Sequence, residues 1–86
     1  MVEVSESSLA FDRDHKGSLY ARALVADYWI LNLVERDVVE VYRDPSPDAA
    51  APFGWRYGSA EVFRRDSAVF PLARPDVPIR VADLLP

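Results

Sequence analysis

Hydrophobic and polar positions along this chain follow two different rhythms. Val2-Glu3-Val4 sets an acid between two valines, the two-residue alternation of a strand, and it opens abruptly, as the middle or end of a buried strand would. Ser5-Glu6-Ser7-Ser8 is polar and reads as loop. From Asp12 to Val25 the rhythm becomes helical, with Leu19, Tyr20, Ala23 and Leu24 on one stripe and Asp12 and Asp14 in the first turn, where carboxylates suit the helix dipole. Gly17 costs that helix about 1 kcal/mol relative to alanine. Tyr28 to Leu33 is aromatic and β-branched enough for a central strand, and Asp37 to Arg43 makes a second one. The short Val34-Glu35-Arg36 link between them predicts a hairpin.

Asp44 to Gly54 is rich in proline and alanine without periodicity, which predicts a loop. Trp55-Arg56-Tyr57 resumes a strand, a turn is expected at Gly58, and Glu61 to Arg65 continues beyond it. Ser67 to Leu72 and Ile79 to Val81 are short apolar pieces between prolines, fit for edge strands or extended loop, and Val81 to Pro86 begins a helix. The fold class expected is α+β: a mixed, twisted sheet of about four to five strands with one main helix.

Composition narrows the classes without naming one. The 86 residues make one small domain, and a 50% hydrophobic content argues for a folded core of modest size. There is no cysteine, so disulfides and thiolate metal sites are excluded. No apolar stretch approaches the ~20 residues that span a bilayer, and the first residues lack a basic leader, so a cytoplasmic protein is expected, with no membrane partner. Fourteen acidic against ten basic residues give a formal charge of −4, which disfavours wrapping of a phosphate backbone. Any nucleic-acid contact must be local.

Two residues stand out as candidates for chemistry. Glu3 must point to the face opposite Val2 and Val4, toward a cleft or a surface, and exposure at a frayed end explains it equally well. Lys16 shares a helical stripe with Tyr20 and Leu24, which places an ammonium where core contacts are expected. Snorkelling to solvent is the bland account; a meeting with Glu3 between strand and helix is the functional one. His15 is the only histidine and has no sequence partner for catalysis, so a surface position is expected. Ser5, Ser7 and Ser8 lack a nucleophile elbow, the glycines at 17, 54 and 58 form no phosphate loop, and Trp29 and Trp55 read as core, with stacking at Trp55 as the other option.

The stretch from Val2 to Leu33 resembles the characteristic segment of the Uma-two family of restriction-endonuclease-like proteins. The resemblance rests on Glu3-Val4 leading into serines with Glu6 preceding Ser7, then Asp12, Lys16 and Tyr20, then Tyr28-Trp29-Ile30. VVEVYRDP and PLARPDVPIRVADLLP are similar to that family's ending. The resemblance implies a partial fold of the PD-(D/E)xK nuclease superfamily, whose sites use an Asp, a Glu and a Lys with Mg²⁺ to cleave a phosphodiester. Glu3 is then the metal-ligating carboxylate and Lys16 the catalytic lysine, supplied from the helix, and Mg²⁺ wants such hard oxygen ligands. Asn32 stands where that family usually carries Asp, and Ala26-Asp27 where Pro-Glu is common.

On this resemblance the chain, residues 1–86, is expected to be the C-terminal half of the nuclease domain, without the strand that bears the family's other metal-binding aspartate. Three functions compete, of which the weakest, a nucleic-acid-binding module without catalysis, is opposed by the acidic balance. The first is an endonuclease-like domain acting on DNA, inactive alone and completed by an N-terminal half. The second is a non-catalytic interaction module or gene remnant, its open sheet edge covered by a partner or by a homo-oligomer.

Overall fold

The computed structural model describes residues 1–5, 9–34 and 38–85. Its chain runs β1 (Val2–Ser5), α1, β2 (Asp27–Asn32), β3 (Val38–Pro47), β4 (Trp55–Arg64), β5 (Ala68–Val69), β6 (Ile79–Arg80) and α2 (Val81–Leu84). Helix α1 is continuous but built of three pieces, an α start at Leu9–Phe11, a π segment at Asp12–Lys16 and an α end at Gly17–Arg22. The fold is α+β. Four strands form a mixed sheet in the order β1-β2-β3-β4, and β5 and β6 form a small second sheet.

Connectivity explains the mixture. β1 and β2 are parallel, and parallel neighbours need a crossover, which α1 supplies. β2, β3 and β4 pair antiparallel, so the expected hairpin after Leu33 is present as a pairing of Asn32 with Val38, while its turn at residues 35–37 lies outside the described residues. One register row crosses the whole sheet: Glu3 pairs with Ile30, Ile30 with Glu40, and Glu40 with Val62. Paired residues share a face, so Glu3, Ile30 and Glu40 all point toward α1. The neighbouring row, Val4, Leu31, Val39 and Phe63, points the other way.

That second face carries the main apolar core. Trp29, Leu31, Val39 and Val41 are buried against Val69, Val81 and Leu85 from the C-terminal segment. The prolines there do prevent a long helix, but they permit the β5–β6 pair and the one-turn α2 that close this face. Tyr28 and Ile30 form a smaller core under α1, with Tyr20, Tyr42 and Tyr57 packed around them.

The structure departs from the sequence expectations at four points. The helix begins at Leu9 and ends at Arg22, because Leu24 adopts a left-handed φ of 60° and its N–H bonds Ala21 O while Val25 N–H bonds Tyr20 O. This is a Schellman stop. Its buried stripe is Gly17, Ser18 and Ala21, with Leu19, Ala23 and Leu24 outside, since the inner side of the helix lies close to β4 and only small residues fit. Gly58 is not a turn: β4 runs through it, opposite Asp44, where an added Cβ would meet the Asp44 carbonyl oxygen at 3.1 Å. The sheet therefore reaches further than the sequence suggested. β3 extends to Pro47, and the true loop is the compact turn from Asp48 to Gly54, closed by the Asp48 N–H donating to Gly54 O at 2.9 Å.

Candidate active site on the helix-facing side of the sheet

Lys16 and Tyr20 are four residues apart, one on the π segment and one on the α end of the helix, and both reach the same acid. The Tyr20 hydroxyl donates to Glu3 Oε1 at 2.7 Å, and Lys16 Nζ lies 3.7 Å from Glu3 Oε2. The Glu3 side chain is 25% exposed and that of Lys16 35%, so the pair sits at the rim of the sheet rather than in the core or in open water. The strand alternation at Glu3 and the helical stripe at Lys16 thus converge in space. Wide π turns are frequent at functional sites, and here the π segment carries Lys16 and also Arg13.

Arg13 extends the site across Ile30 to a second carboxylate. Glu40, only 3% exposed, accepts Arg13 Nε at 2.9 Å, a second bond from Arg13 Nη2, Asn32 Nδ2 at 2.8 Å and the Tyr42 hydroxyl at 2.6 Å. Burial by itself raises the Glu40 carboxyl, but the bonds from Arg13, Tyr42 and Asn32 and the Arg13 charge outweigh it and hold Glu40 below the usual range. Burial and the neighbouring carboxylate push the Tyr42 phenol well above its ordinary value, so Tyr42 stays a donor. Glu3 and Glu40 are two strands apart, about 10 Å between backbones. Ser5, two residues beyond Glu3 on the same face, is buried with no hydrogen-bond partner for its hydroxyl among the described residues.

Sequence reasoning missed Arg13, Glu40 and Tyr42, although the signal was present. Val39-Glu40-Val41 repeats the valine-acid-valine pattern of Val2-Glu3-Val4, and Arg13 precedes Lys16 by one helical step. His15 is exposed and stacks on Phe11, ring centroids 5.1 Å apart. Trp29 is core, whereas Trp55 is half-buried at the wall of a cleft. Asp27 has a structural task, accepting from Arg43, the Trp29 indole and the Leu72 N–H. The side chain of Asp12, and Glu6 and Ser7 altogether, lie outside the described residues.

A mixed sheet crossed by one helix, with a carboxylate, a lysine and a tyrosine gathered at the sheet's edge, defines an α+β domain with a polar face under the helix. The chain belongs to the Uma2 family, described as "putative restriction endonuclease", which it matches over residues 1–78. That match gives no support to reading the chain as a C-terminal half. No curated protein and no solved structure matches it. No helix among the described residues is long and apolar enough to cross a membrane.

Proposed function

We propose that this domain serves hydrolysis of phosphodiesters in DNA, with Glu3 as a ligand for Mg²⁺ and Lys16 as the cation that stabilises the attacked phosphate. The observation that carries this reading is the meeting of Glu3, Lys16 and Tyr20 at the sheet edge. Membership of a restriction-endonuclease-like family supports DNA as the substrate.

The residues fit a hard cation in part. Glu3 Oε2 stands 3.7 Å from Lys16, beyond hydrogen-bond length, so its lone pairs can serve an ion. Glu40 is a poorer ligand because its oxygens already accept from three side chains. Among the described residues no three His, Asp or Glu side chains gather, so the site calls for at least one further carboxylate. When bound, Mg²⁺ would supply positive charge to the phosphate and acidity to the attacking water. Tyr20 fixes the rotamer of Glu3, Lys16 offers an ammonium to the developing phosphate charge, and the Arg13–Glu40 pair holds the helix so that Lys16 faces Glu3.

The test is Mg²⁺-dependent cleavage of plasmid DNA by the chain alone and by the chain fused behind the aspartate-bearing segment of another family member. The chain alone should cut negligibly, because among the described residues no three His, Asp or Glu side chains gather to hold the ion and fewer ligands hold it weakly. The fusion should cut, and Glu3→Gln or Lys16→Ala should abolish it. Cutting that survives both substitutions contradicts the assignment.

A second reading has its own observation. β1 is an edge strand with Val2 53% and Val4 57% exposed, a surface that invites another strand. Self-association through this edge would appear in sedimentation as a mass that rises with concentration, and a monomer throughout would exclude it.

A further inference from the structure

We propose that the cleft between α1 and the far end of the β3–β4 hairpin receives one unstacked nucleobase of the strand held at Glu3 and Lys16. The inference rests on the nucleic-acid reading above and adds a binding site to it. The cleft measures about 480 Å³, within the usual range for small-molecule sites, and its walls include Arg13, His15, Tyr42, Trp55, Arg56 and Tyr57.

Its chemistry suits a base better than a phosphate. Three of these six walls are indole or phenol rings; Tyr42 and Tyr57 pack on Tyr28, which leaves Trp55 as the ring to stack, and a ring face stacks on any base. The cations beside them are already compensated, Arg13 by Glu40 and Arg56 by Asp48 at 3.1 Å, and Asp14 also lines the cleft. The cleft therefore presents the Trp55 ring with little positive field, consistent with the formal charge of −4.

The two tryptophans differ in the same sense. Trp29 is buried and its indole N–H is committed to Asp27 at 2.7 Å, whereas Trp55 stands half-buried at the cleft. The Trp55 wall is held in place: Ser18 Oγ donates to Trp55 O at 2.6 Å and accepts from Phe53 N at 2.9 Å, which pins the 48–54 turn to the helix. A preformed wall loses little entropy on stacking.

The cleft is joined to the proposed active site through Glu40. Arg13 and Tyr42 line the cleft and both bond Glu40, which shares a register row with Glu3 about 10 Å away. Within a duplex the bases are stacked at about 3.4 Å along each strand and cannot offer a ring face to Trp55, so the site selects single-stranded or flipped nucleotides.

The experiment uses the Glu3→Gln chain without Mg²⁺, so that binding is read apart from cleavage, and an oligothymidylate of about ten nucleotides as the probe, against a hairpin duplex of equal length. Single-stranded probe should quench tryptophan emission saturably, with the quench lost in Trp55→Phe while anisotropy shows that binding persists. Trp55→Ala should weaken binding about tenfold. Ala51→Phe, which narrows the cleft from the 48–54 turn that lines it, should do the same and covers the case in which Trp55→Ala fails to fold. Equal quenching by the duplex, no quenching, or unchanged affinity in a folded Trp55→Ala or Ala51→Phe chain would overturn the proposal. Cleavage that still depends on Glu3 and Lys16 would then show that the cleft alone, and not the hydrolytic reading, has failed.

Discussion

The two faces of the central sheet are made by the same strands and obey different rules. On one face Trp29, Leu31, Val39 and Val41 meet the C-terminal segment in an apolar layer. On the other, under α1, Glu3, Asn32, Glu40 and Tyr42 alternate with Ile30 and Tyr28 and are tied by hydrogen bonds to the helix and to one another. The apolar layer gains stability roughly in proportion to area and accepts substitutes of similar volume. The polar layer gains little net stability from each bond, yet loses heavily when one partner is removed, because the other is left buried and unpaired. A small domain keeps such a face at some cost to stability, which fits its being the face that carries the proposed function.

The difference is tested most severely on the apolar side. Trp29→Ala should cost about 3–5 kcal/mol through the cavity left by the ring. That is a large share of the total for a chain of this size, and the thermal transition should be lost or fall steeply. Leu31→Met, which keeps both chemistry and volume, should change stability by less than about 1.5 kcal/mol. If Leu31→Met were as damaging as Trp29→Ala, this face would not be tolerant of substitutes of similar volume.

The polar face should fail under the opposite substitution. Glu40→Leu preserves bulk and adds hydrophobicity, but strands Arg13, Asn32 and Tyr42, and should cost about 3 kcal/mol. The double change Glu40→Leu with Arg13→Leu should recover part of that loss, because two mismatched polar partners vanish together. A fully additive double variant, measured by urea unfolding, would show that Arg13 and Glu40 do not act as a pair.

Acid and alkali sharpen the contrast further. Glu40 sits below its ordinary value of 4.5 in the folded chain, so its contribution is present above that pH and is lost as the pH falls through the depressed folded value. Asp27, held down by Arg43, Leu72 N–H and Trp29 against the upward effect of burial, behaves the same way below 3.8. Glu40→Gln should flatten the acid limb of stability, leaving the part due to Asp27. At the other end, burial and the Asp27 charge push the Tyr57 phenol up to about 12 from 10.0, so its contribution is complete below pH 10 and lost as the pH rises through 12. Tyr57→Phe should remove that alkaline loss, at the cost of the bond to Val25 O.

These faces were unequally legible in the sequence. Aromatic and β-branched content identified the central strands, and two-residue alternation placed Glu3 on the face opposite the valines. The same rule applied to Glu40 would have found the second carboxylate, but a glutamate within an apolar strand near an exposed hairpin passes for a surface residue until its partners are known. Arg13 was hidden for a different reason, since its partner lies 27 residues away and no local spacing encodes that pairing. Gly58 was misread as punctuation because glycine signals both turns and close backbone approach, and only the Asp44 carbonyl opposite it decides between them.

The helix stop offers the smallest effect and the clearest sign. A Schellman stop places a left-handed residue just past the helix, and glycine is usual there because any Cβ crowds its own backbone in that region. Here the position is Leu24, with φ of 60° and a side chain 64% exposed, so burial returns almost nothing for the strain. Leu24→Gly should keep the bonds from Leu24 N–H to Ala21 O and from Val25 N–H to Tyr20 O and raise stability by about 1 kcal/mol, the left-handed penalty less the added freedom of glycine when unfolded. Leu24→Ala should be close to neutral, since alanine keeps the Cβ. Because the stop sets where α1 ends and not where Lys16 and Tyr20 meet Glu3, the glycine variant should leave Mg²⁺-dependent cleavage by the fused protein unchanged. A gain in stability accompanied by lost cleavage would mean that the strain at Leu24 is coupled to the polar face.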